Sequence, residues 1–183
     1  MLLTGEEIEY LIEGCKKNNR RAQEQLYRAF RQPMSAICLR YTKNAQDVTA
    51  VLNNGFLKIF LKINQYDASK GALATWMRRI MIHESIDFLR KQSAFNVEKS
   101  SLTDDIAIES DVLNRMNAEA LLALVRQLPA ATQLVFNLFI VEGYNHGEIA
   151  VMLNISQGTS RWHLSEARKQ LKKSVMVPER KNG

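Results

Sequence analysis

Proline, cysteine and glycine are all scarce in this chain of 183 residues, and each shortage closes off a class of structure. Only three prolines occur, so a packed, helix-rich fold is allowed, and a hydrophobic share of 46% excludes global disorder. Two cysteines, Cys15 and Cys38, make neither a disulfide framework nor a metal-ligand cluster. They read as buried, reduced thiols of a cytoplasmic protein. No glycine-rich or alternating segment suggests strands. Residues 1–7 lack a basic region followed by a long apolar core, so they do not form a signal peptide. No apolar run approaches the roughly 20 residues that cross a bilayer, so membrane insertion is not expected. Three histidines, His83, His146 and His163, are scattered over separate segments, with no carboxylate cluster or phosphate-cradling glycine loop beside them. That speaks against an enzyme and against a resident metal or cofactor.

What the chain has in excess is positive charge. Its formal net charge is +6 and its isoelectric point near 9.4, which implies an anionic partner such as nucleic acid or a membrane surface. Between residues 161 and 181 there are seven Lys or Arg against two Glu, a local balance of +5. The excess is therefore almost entirely C-terminal.

Periodicity then organises the chain. Thr4 and Glu7 have capping-box spacing and open a first helix to about Lys17, with Ile8, Leu11 and Ile12 on one face. A second helix is expected over residues 20–31, ended or kinked by Pro33, with residues 34–41 as a further helical piece. From residue 46 to 63, Val48, Leu52, Phe56, Ile59 and Ile63 mark the inner stripe of a long amphipathic helix. Residues 64–71 form a polar loop. Residues 72–91 are helical again, with Leu73, Met77, Ile80, Ile86 and Leu89 inward. Residues 93–117 then carry five acids and two bases, and 92–110 reads as a linker. Helical periodicity resumes near Asp111, breaks at Leu128-Pro129 and continues to Val141, with Gly143 as its C′ residue. The fold class is all-α, in two helical domains, 1–91 and 111–183, joined by a flexible linker.

Residues 145–173 have the chemistry of a helix-turn-helix. A short helix begins at Asn145 or His146 and holds Glu148, Ile149, Ala150 and Leu153. Ala150 is small where two helices cross. Asn154 suits the left-handed turn position, and Ser156 can cap a second, basic helix. Ile149, Leu153, Ile155 and Leu164 fill the core between them. Such a second helix enters the major groove, with its early residues at base edges and its later ones on phosphates. Arg161 and His163 are assigned to base edges or nearby phosphates, and Arg168, Lys169, Lys172 and Lys173 to phosphates. Trp162 admits two readings, stacking on the duplex backbone or packing on the domain.

The same residues resemble a known family. Leu128-Pro129, Val135-Phe136, Glu142-Gly143-Tyr144, Glu148-Ile149-Ala150, the run Ile155-Ser156-Gln157-Gly158-Thr159 and the run Ala167-Arg168-Lys169-Gln170-Leu171 are similar to region 4 of RNA polymerase sigma factors of the extracytoplasmic-function (ECF) type, in the sigma-70 family. A helix-turn-helix alone is shared with many regulators, and the first half decides between them. Gly55 to Phe60, Trp76 to Ile80 and Ile86 to Lys91 resemble sigma region 2. No third domain fits between the halves, which is the ECF arrangement.

The resemblance implies a factor that directs core polymerase to promoters and opens the −10 element. Gln157, Thr159, Arg161, Trp162, His163, Arg168, Lys169 and Lys172 would then read the −35 element. Tyr66, Lys70, Arg78, Arg79, His83 and Arg90 would handle the unpaired −10 strand, since capturing a flipped base needs a polar pocket, a stacking surface and positive charge. Trp76 is expected in the core and Asp87 as a structural partner of a basic residue. Asp47, Ala50, Asn53, Asn54 and Lys58 would meet the polymerase β′ clamp. An anti-sigma factor is admitted as a further partner. Two departures stand out: His83 replaces the usual asparagine, and of four clamp-facing acids only Asp47 remains. The alternative is a stand-alone helix-turn-helix regulator, which would leave the first ninety residues without a purpose and would ordinarily be a dimer on paired half-sites.

Overall fold

The computed structural model describes residues 3–91 and 118–176, which consist of helices and the turns between them. No strand occurs among the described residues, in keeping with the all-α expectation. The chain divides into two compact units, Met1–Gln92 and Ser93–Gly183. The expected linker, 92–110, and the helix start near Asp111 lie outside the described residues.

Among the described residues the first unit holds four α-helices, three of them begun by a side chain suited to capping. Thr4 caps α1, Gly5–Lys16, in a full capping box with Glu7. Asn19 caps α2, Arg20–Cys38, by accepting from the amides of Arg21 and Ala22, and Asn44 caps α3, Ala45–Lys62, through the amide of Asp47. Each such cap contributes about 1 kcal/mol. Two short 3₁₀ turns, Ile63–Gln65 and Ala68–Lys70, lead into α4, Leu73–Lys91. The core is the meeting of α2, α3 and α4, where Leu26, Val51, Phe56, Ile59, Met81 and Ile86 are buried. Each large apolar side chain removed from water there contributes roughly 1.5–3 kcal/mol. The fit is tight at one point: a Cβ on Gly55 of α3 would lie 2.3 Å from Met81 Sδ of α4. A larger residue there would have to displace the end of the Met81 side chain.

Pro33 does not end its helix, contrary to expectation. α2 runs through it without interruption, with Pro33 and Ala29 both exposed. The carbonyl deprived of an amide therefore faces water, where the cost is smallest. Cys15 and Cys38 are buried and unbonded, and burial pushes their thiols up to about 11 and about 12.

In the second unit α5, Ala118–Val125, is followed by α6, Ala130–Phe136, which begins directly after Pro129. A π-helical turn, Asn137–Val141, extends α6, and Gly143 closes it at φ +80°. There follow α7, His146–Leu153, and α8, Gln157–Met176. Leu134, Leu138, Ile149, Leu164, Ala167 and Leu171 are buried between α6, α7 and α8.

Candidate nucleic-acid interface

Helices α7 and α8 form the turn that their sequence demands. Asn145 accepts the Glu148 amide at 3.0 Å while Glu148 accepts the Asn145 amide at 2.8 Å, a reciprocal cap on α7. Asn154 ends the helix at φ 55°, ψ 50°, a left-handed conformation that asparagine tolerates better than most residues. The Ile155 amide returns to Ala150 O at 3.0 Å. Ser156 Oγ then accepts the Thr159 amide at 2.9 Å and starts α8. His146 stacks on Phe139 and shares a 2.9 Å hydrogen bond with Ser160, which ties α7 to both neighbours.

The two faces of α8 divide cleanly. Ser160, His163, Leu164, Ala167 and Leu171 point into the core. Gln157, Arg161, Lys169, Lys172 and Lys173 are exposed, with Arg168 half-buried beside them. Gln157, Arg161, Arg168 and Lys172 recur at helical spacing along one stripe, and Arg161 Nη2 donates to Gln157 Oε1 at 3.3 Å in the first turn. A polar start followed by three cations along one stripe, with Lys169 and Lys173 beside it, is suited to base edges first and phosphates after.

The first unit carries a small cavity of about 150 Å³ where the 3₁₀ turns meet the start of α4, lined among others by Tyr66, Asp67, Lys70, Thr75, Trp76 and Arg79. The Tyr66 hydroxyl donates to Gly71 O at 3.0 Å, and its ring leans on Trp76 with centroids 5.6 Å apart. Asp67 accepts from the amide and hydroxyl of Ser69, which holds its carboxyl below the usual range. Two aromatic rings, hydrogen-bonding groups and two cations thus surround one small space, which suits a nucleobase with its phosphate.

Family comparison covers both units. Residues 26–95 match sigma-70 region 2, and residues 118–171 match sigma-70 region 4, in the order and spacing of one factor. The chain belongs to the sigma-70 family, in its ECF branch. It is 22% identical to the RNA polymerase sigma-H factor of Pseudomonas aeruginosa over 95% of this chain and 96% of that one. It is equally 22% identical to the ECF RNA polymerase sigma factor SigM of Bacillus subtilis, over 81% of this chain and 92% of that one. Its fold is similar to that of the sigma factor RpoE of Bartonella quintana, solved in complex with the anti-sigma factor NepR, with a TM-score of 0.53 at 16% identity over 85% of this chain and 97% of that one.

Within region 4, two residues expected at the DNA turn inward. His163 is only 4% exposed, its Nδ1 is 3.1 Å from Thr132 Oγ1, and it shares the core stripe of Leu164, Ala167 and Leu171. It cannot reach a base edge. Thr159 is also buried, and its hydroxyl lies 2.9 Å from Ser156 Oγ, so it serves the cap. Trp162 is half-buried with its ring edge-on to His163, which favours packing on the domain.

Within region 2, the cavity gathers Tyr66, Lys70 and Arg79. Arg78, His83 and Arg90 do not line it. His83 is exposed seven residues beyond Trp76, about 10 Å along α4, and burial of its surroundings lowers its basicity against the opposing pull of Asp87. Trp76 is half-buried at the cavity wall rather than in the core. Asp87 pairs with Lys58 and Arg90, as a structural partner should. Lys58 is partly exposed, and its ammonium is turned to α4, bound to Glu84 and 3.4 Å from Asp87. Asp47 is half-buried and accepts from Asn44, whereas Ala50, Asn53 and Asn54 are exposed on one face of α3. Leu57 and Leu61, 57% and 72% exposed, continue that face. Their spacing from Asn53 and Asn54 was the signal for them, and the inner stripe of α3 concealed it.

Among the described residues no three His, Cys, Asp or Glu side chains are placed to hold a metal, and no helix is long and apolar enough to cross a membrane.

Proposed function

We infer that this chain is a sigma factor: it directs RNA polymerase core to promoters and initiates transcription there. The observation that carries this is the presence, in one chain, of region 2 with a base-sized aromatic cavity and region 4 with a basic recognition helix. A regulator that binds only duplex DNA needs the second and has no use for the first.

The roles of individual residues follow from chemistry and position. Arg161 and Gln157 read base edges of the −35 element, and Arg168, Lys169 and Lys172 hold its phosphates. Tyr66, Trp76 and Arg79 take up an unpaired base of the −10 strand, with Lys70 nearby for its phosphate. His83, Arg78 and Arg90 on α4 contact the strand as it continues. The outer face of α3, with Ala50, Asn53 and Asn54, docks on the β′ clamp. An anti-sigma factor is a further partner on this reading, as the Bartonella quintana complex illustrates for a relative, and the cytoplasm is where the polymerase is met.

One observation favours a second reading, a stand-alone regulator. The outer face of α3 has no charged residue at positions 49, 50, 53 and 54, which weakens the electrostatic case for polymerase docking.

The test is strand capture. Holoenzyme assembled from core polymerase and this chain should bind the single-stranded DNA that it selects from a random pool, and Trp76→Ala should weaken binding by about 1–3 kcal/mol, the usual value of one stacked base. Unchanged binding by Trp76→Ala would remove the cavity from the mechanism.

A further inference from the structure

Region 2 buries a carboxylate in its helix interface. The Glu84 side chain on α4 is 6% exposed, and its Oε2 meets the ammonium of Lys58 on α3. Among the described residues no hydrogen-bonding group other than that ammonium serves Glu84 Oε2. The same ammonium lies 3.4 Å from Asp87 Oδ2, and Asp87 Oδ1 in turn lies 3.7 Å from Arg90 Nη1. Hydrogen bonding to Glu84, then charge attraction, keeps Lys58 protonated more firmly than an ordinary lysine. One lysine of α3 thus gathers two carboxylates of α4, and the second of these also pairs with Arg90.

Such a pair rarely adds much net stability, because taking the Glu84 carboxylate out of water offsets its attraction to Lys58, whose side chain stays 41% exposed. Its effect is to select one arrangement, since any other leaves the carboxylate buried and alone. The α3–α4 interface has a need for such selection. The buried side chains of α4 include Met77 and Met81, the second of them against Gly55 of α3, and methionines are flexible side chains that fill many shapes equally well. The close approach of Gly55 to Met81 limits the distance between the helices but leaves rotation of α4 less defined. Lys58 and Glu84 each lie one helical turn beyond that contact and fix what it leaves loose. Glu84 also follows His83 directly, and Lys58 and Asp87 both act electrostatically on that imidazole. Rotation of α4 would move His83, and with it Trp76 and Arg79 at the cavity.

We propose that Lys58 and Glu84 are positioning residues for promoter opening: their ion pair fixes α4 against α3 and so aligns the strand-binding groups of α4 with the polymerase-facing surface of α3. The proposal rests on the reading of region 2 given above. It separates two properties that a merely structural pair would join. Folding and polymerase docking should survive loss of the pair, because α3 keeps its outer face. Strand capture should not.

The experiment uses the full chain with Lys58→Met and Glu84→Leu combined, which fills the site with apolar groups of similar size. Three quantities are read: the melting temperature of the free chain, the affinity for core polymerase, and the affinity of the holoenzyme for the single-stranded DNA selected by wild type. The melting temperature should be unchanged or higher. Polymerase affinity should stay within about twofold, while strand affinity falls about tenfold or more, as small misplacements of binding groups produce. Lys58→Arg alone, which keeps the charge and its partner, should retain strand binding. Wild-type strand affinity in the double variant would overturn the proposal, and so would a parallel fall in all three quantities, which marks a structural pair. Wild type that binds polymerase but no single strand would overturn the reading of region 2 itself, and the positioning role with it.

Discussion

Neutral His163 suits its place in region 4, whereas its protonated form does not. The ring is buried, Nδ1 is engaged with Thr132, and Nε2 meets no hydrogen-bond partner among the described residues. Burial holds its pKa below the ordinary 6.5, because a low-dielectric site penalises the imidazolium. Above that value the histidine is neutral whether the chain is folded or not, and it costs nothing. As pH falls below 6.5 the unfolded chain takes up the proton first, so stability is lost progressively until the folded pKa is passed. Imidazole titration by NMR should place His163 below 6.5, and the region 4 unfolding transition should come at lower temperature near pH 5.5 than near pH 7.5. His163→Met should shrink that difference, and a titration at or above 6.5 would contradict the account. The exposed stripe of the same helix obeys different physics. Arg161→Ala should change which duplex sequences are preferred, by about 1–3 kcal/mol at its base pair, whereas Lys172→Ala should weaken all sequences alike and lower the salt slope by about one. Competition binding at several salt concentrations separates the two, and a uniform loss for Arg161→Ala would make it a phosphate clamp.

At the scale of an element, α3 faces two ways. Val48, Leu52, Phe56 and Ile59 go inward, and Thr49, Ala50, Asn53 and Asn54 go outward. Complementary charge on such a rim mainly speeds encounter, at about 1 kcal/mol or less for each pair. Thr49→Glu, Ala50→Asp and Asn54→Glu together should therefore raise the rate of association with core polymerase, most clearly at low salt. Equal rates at low salt would show that polymerase is not met through this face. Exposed Leu57 and Leu61 lie on the same face, as apolar surface that such charges would supplement. The inward and outward faces of α3 were both legible from a four-residue step, as were the cap at Ser156 and the turn at Asn154, because these depend on neighbours in sequence. What depends on the other helix was not. Lys58 looks outward until Glu84 is placed beside it, twenty-six residues on, and His163 looks like a groove residue until Thr132 is packed against it. Pro33 looked like a stop, but exposure of its turn decides otherwise.

For the whole molecule, the requirement is two engagements with one promoter by one chain. Region 4 offers cations to an intact duplex, whose shape is regular. Region 2 offers aromatic rings and a small cavity, the surface proposed above for a strand that has parted from its complement. A duplex regulator has no use for that second surface, and core polymerase must be present to make it useful. Run-off transcription with purified core polymerase on genomic fragments tests this most directly. The account predicts transcripts with discrete start sites that appear only when this chain is added, and that disappear with Trp76→Ala. Sequence-specific duplex binding without any polymerase complex or transcript would contradict it.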